Sequence, residues 1–178
     1  IGLTDNLFTA TRPEIELLDD NLFKYHVDFS RLNIDQQSAA LCVSRPTNPT
    51  GNVLTDDEIE QLDEIAAEQD IPFILDGAYG LPFPGIIFNE AKAHWNSNTI
   101  LVLSLSKLGL PGVRTGIIVA REEIIQAYTR ANTIVSLACG NLGPAVAREL
   151  VSSGEILTLS QQRIAPFYRQ RAHQTVQW

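Results

Sequence analysis

Four residues of types that can act together on a carbonyl compound follow apolar runs in this sequence. Lys107 comes three residues after the apolar run that ends at Ser104. Asp76 follows a second run directly, with Tyr79 three residues later, and Asn48 stands in a turn after a third run. A lysine amine forms Schiff bases with carbonyl compounds. The pattern therefore indicates covalent chemistry on a carbonyl group, with a carboxylate and a phenol nearby.

Two hydroxyls and a guanidinium complete a set that matches the needs of pyridoxal phosphate. Ser104 and Ser106 precede Lys107, and Arg114 follows it. Pyridoxal phosphate requires a lysine, an acid against its pyridine nitrogen, donors to its ring oxygen and a cradle for its phosphate. Arginine suits the phosphate because it makes bidentate contacts. Asp76 would keep the ring nitrogen protonated by charge pairing, which turns the ring into an electron sink.

Each feature taken singly also has a structural interpretation. The segment 48–51 could be only a turn, and Asp76 could cap the next helix. The segment 104–107 could be a solvated loop, and Arg114 a surface charge. Other chemistries fit less well, because no histidine stands at the spacing of a Ser-His-Asp hydrolase and no glycine-rich phosphate loop is present. The cysteines and histidines are isolated, so no metal site is predicted.

Composition limits the class of protein. The chain has 178 residues, of which 44% are hydrophobic and 19% charged, so its bulk is not disordered. The 13 basic and 21 acidic residues give a net charge of -8, which disfavours a nucleic-acid-binding protein. No apolar run predicts a membrane span and no leader is visible, so a reducing cytoplasm fits best. Cys42 lies inside an apolar run, which predicts a buried free thiol.

The elements that must position these residues follow from hydrophobic patterning. Thr55 and Glu58 form a capping-box pattern, and Pro72 predicts that this helix stops near Asp70. Alternating apolar residues predict a short strand over 23–29. Buried strands are predicted over 39–44, 72–75, 99–104 and 115–120. Further helices are predicted over 121–132, 143–152 and 155–178, the last interrupted by Pro166, and a loop is predicted at Pro82–Gly85.

Buried strands that alternate with helices predict an α/β fold, three-layer, with a mostly parallel sheet and helices on both faces. Ligands of such sheets bind at the carboxyl ends of the strands. The polar segments 45–52, 76–80 and 104–114 each follow a strand directly. We expect them to meet at one edge of the sheet. Residues 1–20 are expected to form a loosely attached N-terminal segment.

The order of these motifs resembles the class I/II aminotransferases among the fold-type I pyridoxal-phosphate enzymes. Asn-Pro-Thr-Gly, Asp-x-x-Tyr, Ser-x-Ser-Lys and Arg are the landmarks of that family, and here they occupy 48–51, 76–79, 104–107 and 114. Within that family, several segments more specifically resemble the branch that transfers an amino group between valine and pyruvate. The segments that carry this closer similarity are 44–53, 78–88, 104–112 and 166–171.

The resemblance implies a role for each residue. Lys107 is implied to form the Schiff base and to shuttle the Cα proton, and Asp76 to pair with the pyridinium. Asn48 and Tyr79 are implied to hydrogen-bond the ring oxygen and so to tune the pKa of the Schiff base, which makes Lys107, Asp76 and Tyr79 the catalytic residues. Asn48–Pro49 is implied to be a cis peptide that aims the asparagine side chain. The residues implied to bind the cofactor are Asn48, Asp76, Tyr79, Ser104, Ser106, Lys107 and Arg114.

The resemblance also predicts how the chain relates to a complete protein. Residues 1–154 resemble part of a cofactor-binding large domain, and 155–178 resemble the start of the long helix leading to a small domain. The chain begins at Ile1 and contains no methionine, so we expect a central fragment with little or no catalysis of its own. The complete protein is expected to be a homodimer acting on an aliphatic amino acid and a 2-oxo acid. Two alternatives are a lyase, decarboxylase or racemase of the same fold type, and a regulatory domain that senses the cofactor without turnover.

Overall fold

A four-stranded sheet, parallel except at one edge, forms the centre of the chain. The computed structural model describes residues 7–18, 22–79 and 91–177. The strands of the sheet, in spatial order, are β3 (Leu41–Ser44), β4 (Phe73–Gly77), β5 (Thr99–Ser104) and β6 (Gly116–Val119). β3, β4 and β5 run parallel, and β6 pairs antiparallel with β5. The α/β class and the mostly parallel sheet are confirmed.

In the described part of the chain, five α-helices accompany the sheet: α1 (Asp56–Glu68), α2 (Glu122–Ser136), α3 (Leu142–Ser152), α4 (Glu155–Leu159) and α5 (Ala165–Val176). The capping box predicted for α1 is present, because the Glu58 backbone N–H donates to Thr55 Oγ1 at 3.1 Å and the Thr55 N–H donates to Glu58 Oε2 at 2.8 Å. Pro166 lies in the first turn of α5, directly after a wider π-helical turn over Ser160–Ile164. Proline lacks the N–H that would continue a regular helix, as the sequence predicted.

The two faces of the sheet differ in burial. Phe73, Leu75, Leu101 and Leu103 lie on one face and are buried with residues of α1 in the main core. Along each strand the alternate residues point to the opposite face, and none of those in β3, β4, β5 and β6 is fully buried. Cys42 belongs to this second face and is exposed, so the prediction of a buried thiol is wrong. The apolar run around Cys42 packs only through its alternate residues.

A hairpin of two strands precedes the sheet, and only its second strand was predicted. β1 (Glu14–Leu17) pairs antiparallel with β2 (Phe23–His26), so the expectation of a loose segment is wrong for residues 14–17. His26 joins this hairpin to α1, with Nε2 at 2.9 Å from Glu16 Oε2 and Nδ1 at 3.2 Å from Glu58 Oε1. The hydrogen bond to Glu16 and the charge of Glu58 raise the pKa of His26 against the opposing effect of burial. Both contacts favour the imidazolium, which donates from both ring nitrogens.

One prediction falls outside the described residues, and the predicted bounds of some other elements differ from the observed ones. The loop predicted at Pro82–Gly85 lies outside the described residues. β4 extends to Gly77, so Asp76 stands inside the strand, and α2 continues to Ser136. Over the ranges that the structure describes, no helix has both the length and the apolar character needed to span a membrane.

We predict that Gly143→Ala destabilises the fold and disturbs the segment that carries Arg114. A Cβ at Gly143, in the first turn of α3, would collide with the Val113 carbonyl oxygen and with Thr115 Oγ1. Overpacking costs about 1–3 kcal/mol, and the upper part of that range is expected because the colliding atom belongs to the backbone. This cost exceeds the ~1 kcal/mol by which alanine favours a helix over glycine.

Urea unfolding measures the effect. Gly112→Ala is the control, because a Cβ at Gly112 meets nothing within 4 Å. The control is expected to stay within about 0.5 kcal/mol of the parent chain. A Gly143→Ala variant as stable as the parent chain would contradict the close packing of α3 on residues 113–115.

Candidate active site

Asp76 lies at the carboxyl edge of the sheet, and among the described residues each of its carboxylate oxygens accepts one hydrogen bond. The register sets Asp76 beside Ser44 of β3 and Val102 of β5. Oδ1 accepts a hydrogen bond from the Ala78 backbone N–H at 3.0 Å, and Oδ2 accepts one from Ser44 Oγ at 3.2 Å. An ionised carboxylate has about four acceptor positions, so Asp76 retains capacity for a further donor. A protonated ring nitrogen is such a donor.

Tyr79 brings together two of the predicted residues. Asn48 Nδ2 donates to Tyr79 Oη at 3.4 Å. Lys107 Nζ lies 4.8 Å from the centroid of the Tyr79 ring, within the range of a cation–π contact. Within the part of the chain that the structure describes, Lys107 makes no hydrogen bond or ion pair. Its amine is therefore available to a ligand beside a phenol and an amide.

The turn that carries Asn48 is stabilised by hydrogen bonds within the turn and by hydrogen bonds to the hairpin. The Thr47 N–H donates to the Asn52 carbonyl at 2.9 Å, and the Gly51 N–H donates to the Thr47 carbonyl at 2.7 Å. Gly51 has a φ of 72°, which glycine adopts without steric cost. The Asn52 side chain accepts from the Tyr25 N–H and donates to the Tyr25 carbonyl, both at 3.1 Å. The Asn48–Pro49 bond is cis, as the family resemblance implies.

The residues predicted to hold a phosphate surround the start of a short 3₁₀ helix over Leu105–Leu108. Ser104 caps this helix, and its Oγ accepts from the Ser106 N–H at 3.2 Å. Arg114 Nη1 donates to Ser106 Oγ at 3.3 Å. The backbone of Arg114 is left-handed, with φ 46° and ψ 46°, which is uncommon for a residue with a Cβ and concentrates at functional positions. The Arg114 guanidinium and the Ser106 hydroxyl thus come together just beyond the end of β5, where Ser104 also lies.

A buried arginine fixes the end of β3 that leads into the site. Arg45 is 5% exposed; Nη2 donates to Asp56 Oδ1 at 2.6 Å and Nη1 donates to the Lys92 carbonyl at 3.1 Å. The hydrogen bond from Arg45, followed by that from the Lys92 N–H, lowers the pKa of Asp56 against the effect of burial. Asp56 belongs to the first turn of α1, so the ion pair joins the strand end to that helix.

The residues at this edge fit pyridoxal phosphate by their chemistry. They offer an amine that has no hydrogen-bonded partner among the described residues, a carboxylate with acceptor capacity, a phenol with an amide, and a guanidinium near two hydroxyls. Asp76 makes no hydrogen bond or ion pair with Tyr79 or Lys107 in the described parts of the chain. A cavity of about 480 Å³ borders the turn that carries Asn48, and one of about 650 Å³ borders Leu105 and Thr115; neither has Asp76 or Lys107 among its lining residues.

The sequence alone indicates no role for Ser44 or Arg45, although the Ser44 hydroxyl donates to the Asp76 carboxylate and the Arg45 N–H donates to the Asp76 carbonyl. The signal for Ser44 was its place at the end of a predicted strand parallel to the one bearing Asp76. Its register partner could not be identified from the sequence, because the lengths of the intervening helix and loops do not fix strand register. Among the described residues, no cluster of His, Cys, Asp and Glu has the composition of a metal site.

Comparison with known proteins supports a single family. The family Aminotransferase class I and II matches residues 11–174. Valine–pyruvate aminotransferase of Escherichia coli K12 is 54% identical over 175 residues, which cover 98% of this chain and 42% of that protein. The crystal structure of valine–pyruvate aminotransferase from Salmonella typhimurium LT2 superposes with a TM-score of 0.88 at 55% identity, covering 93% of this chain and 42% of that one. A putative amino-acid aminotransferase from Psychrobacter arcticum 273-4 gives 0.84 at 48% identity, covering 93% of this chain and 40% of that one.

The Cys42 thiol can report the charge of Asp76. Partial burial raises the pKa of the Cys42 thiol, and the negative charge of Asp76 raises it further. Since the thiolate is the reactive form, we predict that Asp76→Asn lowers this pKa and speeds alkylation at every pH below it. The pH profile of iodoacetamide alkylation measures the change, in a Cys139→Ser background because Cys139 is also a free exposed thiol.

Asp57→Asn is the matched control for this experiment. It removes the same charge from an exposed position in the first turn of α1 and should leave the Cys42 profile unchanged. Identical profiles for Asp76→Asn and the parent chain would contradict the placement of the Asp76 carboxylate on the face of the sheet that carries Cys42.

Proposed function

Because this chain belongs to the class I and II aminotransferase family, we propose that the protein containing it transfers amino groups with pyridoxal phosphate as cofactor. The amino donor is an aliphatic amino acid of the valine or alanine type, and the acceptor is a 2-oxo acid of the pyruvate type. The names of the relatives at 54% and 55% identity support these substrates. The chain spans 42% of those relatives, so the activity is proposed for the whole protein.

The observation that carries the proposal is the cluster of Asn48, Tyr79 and Lys107 at the carboxyl edge of the parallel strands, the edge at which Asp76 also lies. Bound pyridoxal phosphate supplies a conjugated ring that stabilises negative charge at the substrate Cα. Lys107 binds the aldehyde through Nζ and carries a proton at that atom. Asp76 pairs with the ring nitrogen through a carboxylate oxygen. The Tyr79 hydroxyl, held by the Asn48 amide, donates to the ring oxygen.

The phosphate is proposed to bind at the other end of the site. Arg114 offers two parallel N–H donors to a phosphate, which a lysine could not. The Ser106 hydroxyl already accepts from Arg114, so its own proton is free to donate to a phosphate oxygen. The Ser104 hydroxyl likewise retains its proton while it caps the short helix.

The wider setting is proposed from the family. Residues 1–154 form part of a cofactor-binding large domain, and residues 155–178 begin the helix that leads to a small domain. The complete protein acts as a cytoplasmic homodimer in amino acid biosynthesis. Its partners are the amino acid, the 2-oxo acid and a second copy of itself.

We predict that the full-length protein, loaded with pyridoxal phosphate, converts valine and pyruvate into alanine and the 2-oxo acid of valine. Lys107→Ala should lower kcat by at least about 10²-fold, because it removes the group that moves the Cα proton. The rate of alanine formation, measured by chromatography, gives the activity of the parent protein and of the Lys107→Ala variant. Lys92→Ala is the control, since it removes an exposed lysine and should retain activity.

The products separate the competing functions. Carbon dioxide or ammonia released without alanine would contradict the proposal and favour a decarboxylase or lyase of the same fold type. Tight cofactor binding without any turnover of amino acids would favour a regulatory sensor instead.

A further inference from the structure

We propose that Ser44 is a positioning residue that holds the Asp76 carboxylate in the orientation needed to pair with the ring nitrogen of the cofactor. The inference rests on the function proposed above and adds Ser44 to the residues that support cofactor binding. It starts from the one side-chain hydrogen bond that Asp76 makes among the described residues, which comes from Ser44 on the neighbouring strand.

The parallel register places the Ser44 hydroxyl beside the carboxylate. Ser44 is the last residue of β3 and the direct partner of Asp76, so both side chains point to the same face of the sheet. An ionised carboxylate only accepts hydrogen bonds, so Ser44 Oγ is the donor to Oδ2. The Ala78 N–H holds Oδ1 from the turn that follows β4. Two donors from different segments therefore fix the plane of the carboxylate.

Ser44 is itself held firmly. Thr47 Oγ1 donates to the Ser44 carbonyl at 3.0 Å, and the next N–H along the chain, from Arg45, donates to the Asp76 carbonyl at 2.9 Å. The Arg45 side chain is buried and paired with Asp56. Both polar atoms of the peptide group between Ser44 and Arg45 are thus hydrogen-bonded. This fixes the backbone that carries the Ser44 hydroxyl, so the hydroxyl has a defined position from which to donate.

The length of the hydrogen bond between Ser44 and Asp76 indicates that Ser44 orients the carboxylate and does not offset its negative charge. At 3.2 Å the Ser44–Asp76 contact is longer than the 2.5–2.7 Å of a strong hydroxyl–carboxylate bond, so most of the carboxylate charge is left for a ligand. Without the hydroxyl, the carboxylate can turn about its terminal bond, and the cofactor must then order it on binding. The expected consequence is weaker cofactor binding in a protein that is still folded.

The test compares dissociation constants for pyridoxal 5'-phosphate, measured by equilibrium dialysis on the full-length protein. Ser44→Ala should bind about 3- to 10-fold more weakly, which is the range for one lost hydrogen bond. Ser44→Thr keeps the hydroxyl and should stay within about 2-fold of the parent. Ser30→Ala is the matched control, because it removes another Ser–Asp hydrogen bond, from Ser30 Oγ to Asp28 at 2.6 Å, outside the site. It should bind as the parent does.

A spectroscopic reading separates positioning from a general structural role. The absorbance band of the bound cofactor should change in its pH dependence in Ser44→Ala and be restored in Ser44→Thr. Ser30→Ala should lower thermal stability without altering that band.

The outcomes distinguish this inference from the proposed function. Equal cofactor affinity and equal spectra in Ser44→Ala and the parent would overturn the role of Ser44 and leave the proposed function intact. Equal losses in Ser44→Thr and Ser44→Ala would also overturn it, since the hydroxyl would then not be the cause. A parent protein that fails to bind pyridoxal 5'-phosphate would overturn the proposed function and, with it, this inference.

Discussion

The register of the parallel strands is the constraint on which the candidate site depends, and burial of apolar side chains sets it. A slip of β4 by one residue would turn Phe73 and Leu75 toward the exposed face and Asp76 into the core. Burial of a large apolar side chain contributes about 1.5–3 kcal/mol, whereas burial of an unpaired carboxylate costs far more. Both effects favour the observed register. The core that stabilises the fold therefore also presents Asp76 on the open face, next to Ser44.

Buried ion pairs and hydrogen bonds fix the ends of the strands, which the burial of apolar side chains does not fix by itself. The Arg45–Asp56 pair joins the end of β3 to α1, and the buried Asp63 of α1 accepts from His94, Asn96 and Asn98 just before β5. Each anchor offsets the desolvation of a charge with several hydrogen bonds, the condition under which a buried charge is tolerated. α1 thus acts as the common support for the strand that leads to Asn48 and the strand that leads to Lys107.

Sequence reasoning predicted what depends on local chemistry and missed what depends on long-range placement. The capping box of α1, the strand ending at Ser104 and the interruption at Pro166 follow from neighbouring residues, and the structure confirms them. The Asp76 and Lys107 motifs could be recognised because covalent cofactor chemistry restricts residue types and spacing. Strand β1 was missed because its four residues are the shortest run over which alternation indicates a strand. The prediction that Cys42 is buried was wrong because an apolar run does not show which faces of a strand are covered. Ser44 needed the register, which only the folded chain shows.

The central claim is that the sheet edge brings Lys107 into a site for pyridoxal phosphate, and reductive labelling tests it most directly. The chain has three lysines, Lys24, Lys92 and Lys107, and Lys24 is engaged with the Val53 carbonyl at 2.7 Å. The purified chain is mixed with pyridoxal phosphate, reduced with borohydride and mapped by mass spectrometry, with Lys107→Ala as the control. The account predicts selective labelling at Lys107 that the control abolishes. Comparable labelling of Lys24 and Lys92, unchanged in the control, would contradict it.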